Sequence, residues 1–213
     1  MCASYGLQLD PKTFVAEFEV FDEKRTDMVA ISRWLAENTE EPVRPTGKNL
    51  RNLNPIVWGS DQGRAAKLGW WGFLVGGAPA KFPSINTRSE RLADKPADAA
   101  FRVLVPATKW FEYQKPEKTR LALTPARPFA LAGIARRGVL ADGTEYSCYS
   151  IVTQEPAGTL GSVHDRMPTI VTPDLYDDWL SSAPADRGLI EAVTGSAAKA
   201  AETVRFTPEP LPR

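Results

Sequence analysis

The chain has 213 residues, 43% hydrophobic and 9% aromatic, which is enough apolar material for one core of ordinary size and requires no second domain. Its 26 Lys and Arg balance its 26 Asp and Glu, and a net charge of zero excludes a protein that coats nucleic acid by bulk electrostatics. Apolar runs fall short of the roughly 18 residues of a membrane span, and Asp10 and Lys12 interrupt the N-terminus where a secretory leader would be apolar, so a cytoplasmic protein without a membrane partner is expected.

In chain order, Phe14, Val15, Phe18 and Phe21 recur at helical spacing, and Met28, Ile31, Trp34 and Leu35 do so again, predicting two early amphipathic helices. Residues 55–73 and 101–152 carry short Val, Ile, Phe, Tyr and Trp runs broken by Gly, Pro and Asp, the texture of a curved antiparallel sheet with Asp142-Gly143 as its clearest hairpin turn. Thr172-Pro173-Asp174 reads as an N-cap, a first-turn proline and an acidic residue ahead of Leu175, Tyr176, Trp179 and Leu180. A further helix is expected over 187–193, and the proline-rich tail from about 207 to 213 as an extended arm. The expected fold is α+β: one domain over 1–213 with a curved, barrel-like, mostly antiparallel sheet and peripheral helices.

Cys2 follows Met1 directly, so removal of Met1 would leave a thiol and a free α-amine on adjacent carbons, a 1,2-aminothiol. Such a group captures aldehydes in two steps: the amine forms a Schiff base, and the thiolate then closes a thiazolidine ring. Unperturbed pKa values of about 8 for the amine and about 8.5 for the thiol leave both partly nucleophilic near neutrality, so little tuning is expected. Cys148 lies in a strand-like run and reads as buried; two cysteines without paired spacing fit a reducing compartment and imply no metal or other cofactor.

Three further segments carry chemistry. His164, the single histidine, stands in His164-Asp165-Arg166-Met167-Pro168, on what reads as a loop between strands, and imidazole is well suited to proton movement near neutral pH. Trp110-Phe111-Glu112-Tyr113 sets a carboxylate among aromatics: if buried, Glu112 would have a raised pKa and could cycle protons, and if the strand alternates it faces solvent. Asn86 to Glu90 supplies an amide, a guanidinium and hydroxyls within five residues, and reads equally as a helix cap.

The charges are unevenly distributed. Residues 1–42 carry 4 basic and 9 acidic groups, residues 43–127 carry 15 and 6, and residues 128–213 carry 7 and 11, for net charges of −5, +9 and −4. A central segment containing Arg44, Lys48, Arg51, Arg64, Lys67, Lys81, Arg88 and Arg91 has the charge expected of an anion-binding face, provided these residues converge in space.

Cys2, Asn86 to Glu90, Trp110 to Tyr113 and His164 to Pro168 occur in the order of the motifs of the SRAP family, the SOS response-associated peptidases or abasic-site processing proteins, which the chain resembles over most of its length. The resemblance implies a compact barrel-like α/β fold and a monomeric protein that meets abasic sites in single-stranded DNA, loses Met1, by autoprocessing of the peptidase kind or otherwise, and crosslinks through Cys2 as a thiazolidine. It assigns Asn86 to positioning the opened sugar or the amine, Glu112 to taking a proton from the α-amine, and His164 to protonating the ring oxygen. Arg88 and Arg166 would hold phosphates, Arg51 would add to the basic face, Pro45 would sit in a loop that wedges near the lesion, and Trp71 would belong to a stretch that stacks on bases. The chain departs from the pattern at Ala3-Ser4, where Gly-Arg is usual, and at Trp71 to Gly77, where a proline and a second tryptophan are replaced. Alternatives from other classes are an amidase or peptidase using Cys2 as an N-terminal nucleophile and a noncatalytic DNA-binding paralogue.

Overall fold

The computed structural model describes residues 2–37, 42–44, 52–80, 84–99, 101–114 and 119–209. A short strand β1 (Tyr5–Gly6) precedes α1 (Pro11–Phe18) and α2 (Met28–Glu37). A long hairpin follows, β2 (Leu53–Ser60) and β3 (Gly63–Trp71), then the small ribbon β4 (Leu74–Val75) and β5 (Ala78–Pro79). Next come β6 (Asn86–Arg88), α3 (Ser89–Asp94), β7 (Arg102–Ala107), β8 (Lys109–Gln114), β9 (Thr119–Thr124), β10 (Phe129–Val139) and β11 (Glu145–Gln154). The chain ends with β12 (Met167–Pro168), β13 (Ile170–Val171), α4 (Tyr176–Leu180), α5 (Arg187–Ala201) and β14 (Arg205–Pro208).

Strands β2, β3, β11, β10 and β7 close into a five-stranded barrel through the β10–β11 pairing, so none of the five is left as an open edge. Every pairing round the barrel is antiparallel except β3 with β11, where Trp70 and Trp71 run parallel to Cys148 and Tyr149. Five strands enclose little space, and the interior is narrowed accordingly. A Cβ on Gly133 would stand 2.7 Å from Val103 Cγ2, so only glycine fits opposite that valine. A second antiparallel sheet, in the order β1, β8, β9, β14, carries the N-terminus.

The helices cover the outside. Asp10 caps α1 by accepting the Thr13 amide at 3.0 Å, with Pro11 in the first turn and Phe14 and Phe18 buried. The helix stops at Glu19, in the left-handed region at φ 50°, and Phe21 therefore falls outside the stripe its spacing predicted and is 66% exposed. In α2, Ile31, Trp34 and Leu35 are buried as their spacing required.

The hairpin turn is at Asp142-Gly143: Gly143 has φ 87° and Asp142 accepts the Thr144 amide at 2.9 Å. Thr172 does not cap the following turn, because its hydroxyl bonds Ser196 Oγ at 2.6 Å. Instead, Pro173–Leu175 forms a 3-10 turn that leads into α4. Helix α5 runs eight residues beyond the predicted end at Val193, through a segment in which only Ala197 and Ala201 are buried apolar residues. The start of the tail is not a free arm: β14 pairs with β9, Phe206 opposite Leu123. Among the described residues no helix is long and apolar enough to cross a membrane.

Candidate functional site

The N-terminus is held by sheet hydrogen bonds. Tyr5 pairs with Trp110 and Gly6 with Lys109, and the Phe111 amide donates to the Ser4 carbonyl at 3.0 Å. On the other side Tyr5 and Val43 exchange backbone bonds of 3.3 and 2.7 Å. With both edges occupied, the chain before Tyr5 is directed along β8 toward Glu112.

Cys2 is fully buried, and its thiol donates a long contact of 4.0 Å to the Ser4 carbonyl. Burial, reinforced by the nearby Glu112 carboxylate, pushes the thiol pKa well above the usual cysteine range. The expectation of a nearly unperturbed thiol is thus corrected: in this environment the sulfur keeps its proton at neutral pH.

Glu112 is 4% exposed, which decides between its two sequence readings in favour of the buried one. Burial raises its pKa to about 7. Its Oε2 lies 3.8 Å from His164 Nε2, within ion-pair range but too long for a hydrogen bond.

His164 lies on the loop between β11 and β12, as expected, just after a 3-10 turn (Gly158–Ser162), with its amide donating to the Leu160 carbonyl at 3.1 Å. Two groups address its Nδ1: the Arg166 amide at 3.0 Å and Asp165 Oδ1 at 2.7 Å. One ring nitrogen serves one of these at a time. Bare, it accepts from Arg166 and Nε2 carries the proton toward Glu112; protonated, it donates to Asp165. The contact with the amide is fixed by the loop backbone, whereas the Asp165 side chain is 86% exposed, so the amide-bound tautomer is the better anchored.

The loop is pinned from outside. Arg166 forms a two-pronged pair with Glu90, at 2.7 and 2.9 Å, and donates to the Thr153 carbonyl at 2.6 Å. The same pair holds the Glu90 carboxyl below its ordinary pKa. A phosphate would have to displace Glu90 to use this guanidinium. Asn86 begins β6, parallel to β11 with Ile151 as its partner. Its Nδ2 donates to the Ile85 carbonyl at 3.0 Å, and its Oδ1 is buried without a hydrogen-bond partner among the described residues. The acceptor is thus available to a ligand.

Around Cys2 lies a polar array that the sequence did not single out. Tyr5 and Tyr149 hydroxyls meet at 3.1 Å, and Asn54 Nδ2 donates to the Tyr149 hydroxyl at 3.2 Å. Both tyrosines are fully buried, and burial raises their pKa values. Trp71 stacks on Tyr149, centroids 6.2 Å apart, and donates Nε1 to the Ile85 carbonyl at 3.0 Å. At 1% exposure its ring belongs to the core and has no face for a DNA base, which corrects that expectation. Nothing in the sequence linked Tyr149 to Tyr5, 144 residues away.

In front of Glu112 opens a cavity of about 180 Å³ lined by Ala3, Ser4, Arg44, Phe111, Tyr113 and Arg120. Arg120 lies 4.0 Å over the Phe111 ring, and Arg44 is close enough to depress the Arg120 pKa, though burial depresses it more. Arg88 is exposed at the end of β6. Pro45 and Arg51 lie outside the described residues, as do Lys48 and Lys81. The basic central segment does not form one face: Arg64 is buried against Glu19 and Asp177, and Arg91 pairs with Asp98. Among the described residues no cluster of His, Cys, Asp and Glu could hold a metal ion.

The chain is 27% identical over 155 residues to the abasic site processing protein YobE of Bacillus subtilis, covering 67% of this chain and 70% of that one. It is 28% identical over 141 residues to the abasic site processing protein YedK of Escherichia coli, covering 61% and 55%. A solved protein of Bacteroides thetaiotaomicron shares the fold at TM-score 0.75 and 18% identity, over 99% of this chain and 93% of that one. A protein of Bordetella bronchiseptica does so at 0.67 and 19%, over 99% and 100%. The description SOS response associated peptidase (SRAP) matches residues 1–208, and on that near-complete match the chain belongs to the SRAP family.

Proposed function

We propose that this protein processes abasic sites in single-stranded DNA by forming a covalent thiazolidine link through Cys2 once Met1 has been removed. The observation that carries the reading is the meeting of Cys2 and His164 at the buried Glu112 carboxylate, whose pKa is about 7. The names of the relatives point to the same substrate.

The chemistry follows from the electrostatics. With its thiol held protonated, Cys2 attacks first through its α-amine, whose ordinary pKa is about 8. Glu112, largely ionised above pH 7, takes the ammonium proton, freeing the lone pair. His164 acts in its imidazolium form, with Nδ1 donating to Asp165: it delivers the Nε2 proton to the sugar ring oxygen as the ring opens, and the anomeric hydroxyl loses its proton to solvent to give the aldehyde. Amine addition to the aldehyde carbon expels one water and leaves a Schiff base. The thiol then adds across the C=N bond, sulfur to carbon and its proton to nitrogen, closing the five-membered ring without further loss of atoms. Asn86 Oδ1 accepts a hydrogen bond from the opened sugar or the amine. Arg88, Arg44 and Arg120 hold flanking phosphates, while Arg166 acts through the His164 loop it pins.

The test is to incubate Met1-processed protein with an oligonucleotide bearing one abasic site and to run a denaturing gel beside Cys2→Ala. The reading predicts an adduct for the parent protein alone; an equal adduct in Cys2→Ala, or none in either, contradicts it.

A further inference from the structure

A second cavity lies away from Cys2. It measures about 740 Å³, shares no lining residue with the cavity before Glu112, and receives side chains from all five barrel strands and from the end of α4 and the chain just after it. It is the barrel's other mouth: along β11, Tyr149 belongs to the Cys2 end, while Glu145 and Ser147 line this one. The narrow middle at Gly133 and Val103 separates the two.

This mouth is built of cations and aromatic rings. Lys67 projects from β3 with its ammonium 4.7 Å above the Trp58 ring. Among the described residues no carboxylate stands within ion-pair distance of it, and half-burial lowers its pKa. A partly desolvated ammonium in a roomy pocket attracts an anion. Arg137 reaches the same space, sharing its fork with Glu145, the single acidic residue of the lining. Phe101 holds a phenyl ring 72% exposed at the rim, next to a volume far larger than a bare phosphate needs.

We propose that this mouth is a second binding site, for a nucleotide unit, whose base lies against Trp58 and Phe101 and whose phosphate is held by Lys67 and, on displacing Glu145 from its fork, by Arg137. The pairing of a π surface with a cation beside it is the chemistry that single-stranded nucleic acid and free nucleotides share. It is independent of the covalent reaction at Cys2, since neither ring nor cation belongs to that site.

The experiment is an amide-resolved NMR titration of the full chain with dAMP, deoxyadenosine, inorganic phosphate and a tetradeoxyadenylate. With dAMP, shifts are expected at Trp58, Lys67, Phe101, Arg137 and Ser147. Lys67→Met should weaken dAMP about tenfold or more and leave deoxyadenosine unchanged, Arg137→Gln should act in the same direction, and neither should alter adduct formation at Cys2. Displacement of dAMP by the tetramer identifies a DNA strand as the source of the unit; failure to displace identifies a free nucleotide, and either supports the site. Shifts confined to Ala3, Ser4, Phe111 and Glu112, no shifts at millimolar dAMP, or dAMP affinity unmoved by both variants would overturn it.

Discussion

Glu112 places a functional cost at a single residue. Its folded pKa of about 7 lies above the ordinary carboxylate value of 4.5, so between these two values the folded chain binds more proton than the unfolded one. The stability linked to that proton is complete below pH 4.5 and is lost as pH rises through 7, leaving the ionised carboxylate a burden at neutral pH. Glu112→Gln should therefore be more stable than the parent at pH 8, by about 3 kcal/mol, with the difference fading toward pH 5. Thermal melts at the two pH values test this, and a parent protein more stable at pH 8 than the variant would sink it. Tyr149 is the opposite case. Its hydroxyl serves both Tyr5 and Asn54 in full burial, so Tyr149→Phe should cost about 1–2 kcal/mol in urea unfolding, while also slowing adduct formation by loosening the wall behind Cys2. Of this site, Cys2, Asn86, Glu112 and His164 were legible in the sequence because each stands in a compact motif. Tyr5, Tyr149 and Asn54 were not, because they meet only when β1, β2 and β11 come together, and a tyrosine in a strand looks the same whether it packs or hydrogen-bonds. The thiol pKa was misread for a related reason: burial at a chain terminus depends on tertiary pairing and leaves no local mark.

At the scale of elements, the site depends on segments that sheet pairing and one ion pair hold in place. The Glu90–Arg166 fork ties α3 to the loop carrying His164, with the Thr153 carbonyl of β11 as a third point. Releasing it by Glu90→Gln should slow single-turnover adduct formation several-fold with little change in DNA affinity, and Arg166→Lys should act alike because an ammonium cannot reproduce the two-pronged contact. A phosphate-binding role for Arg166 predicts the reverse pattern, weaker affinity for Arg166→Lys and tighter affinity for Glu90→Gln. Elements with strong periodicity were readable: α1, α2 and the β2–β3 and β10–β11 hairpins fall where apolar spacing and Asp142-Gly143 indicated. Helix α5 was cut short because 194–201 is composed of Thr, Gly, Ser, Ala and one Lys, whose helical state is decided by packing rather than by pattern. Phe21 misled in the other direction, since it stands at helical spacing two residues past the left-handed stop at Glu19.

For the whole molecule, the barrel-like sheet was expected from the family resemblance, while the residue pattern alone indicated only a curved antiparallel sheet. Closure requires β3 to run beside β11 in parallel, a contact between distant segments that alternation does not reveal. Charge was also less informative as a sequence block than in space, because Arg64 is buried against Glu19 and Asp177 and Arg91 pairs with Asp98 at the surface. Under the proposed function Arg44, Arg88 and Arg120 are the phosphate contacts. Three contacts to a single strand give a slope of log affinity against log salt of about −2, which sets the shallow limit expected for undamaged single-stranded DNA. Arg44→Ala should reduce that slope by about 0.7; binding that ignores salt would contradict a phosphate-tracking mode.

The central claim is that Cys2 closes a ring on the lesion, and the most direct measurement is intact mass spectrometry of the protein–DNA adduct before and after borohydride. A Schiff base and a thiazolidine have the same mass, but only the imine takes up hydride. The account predicts an adduct at the mass of the Met1-free chain plus the oligonucleotide less one water, unchanged by borohydride. An adduct that gains hydrogen on reduction, or one that still carries Met1, would contradict it.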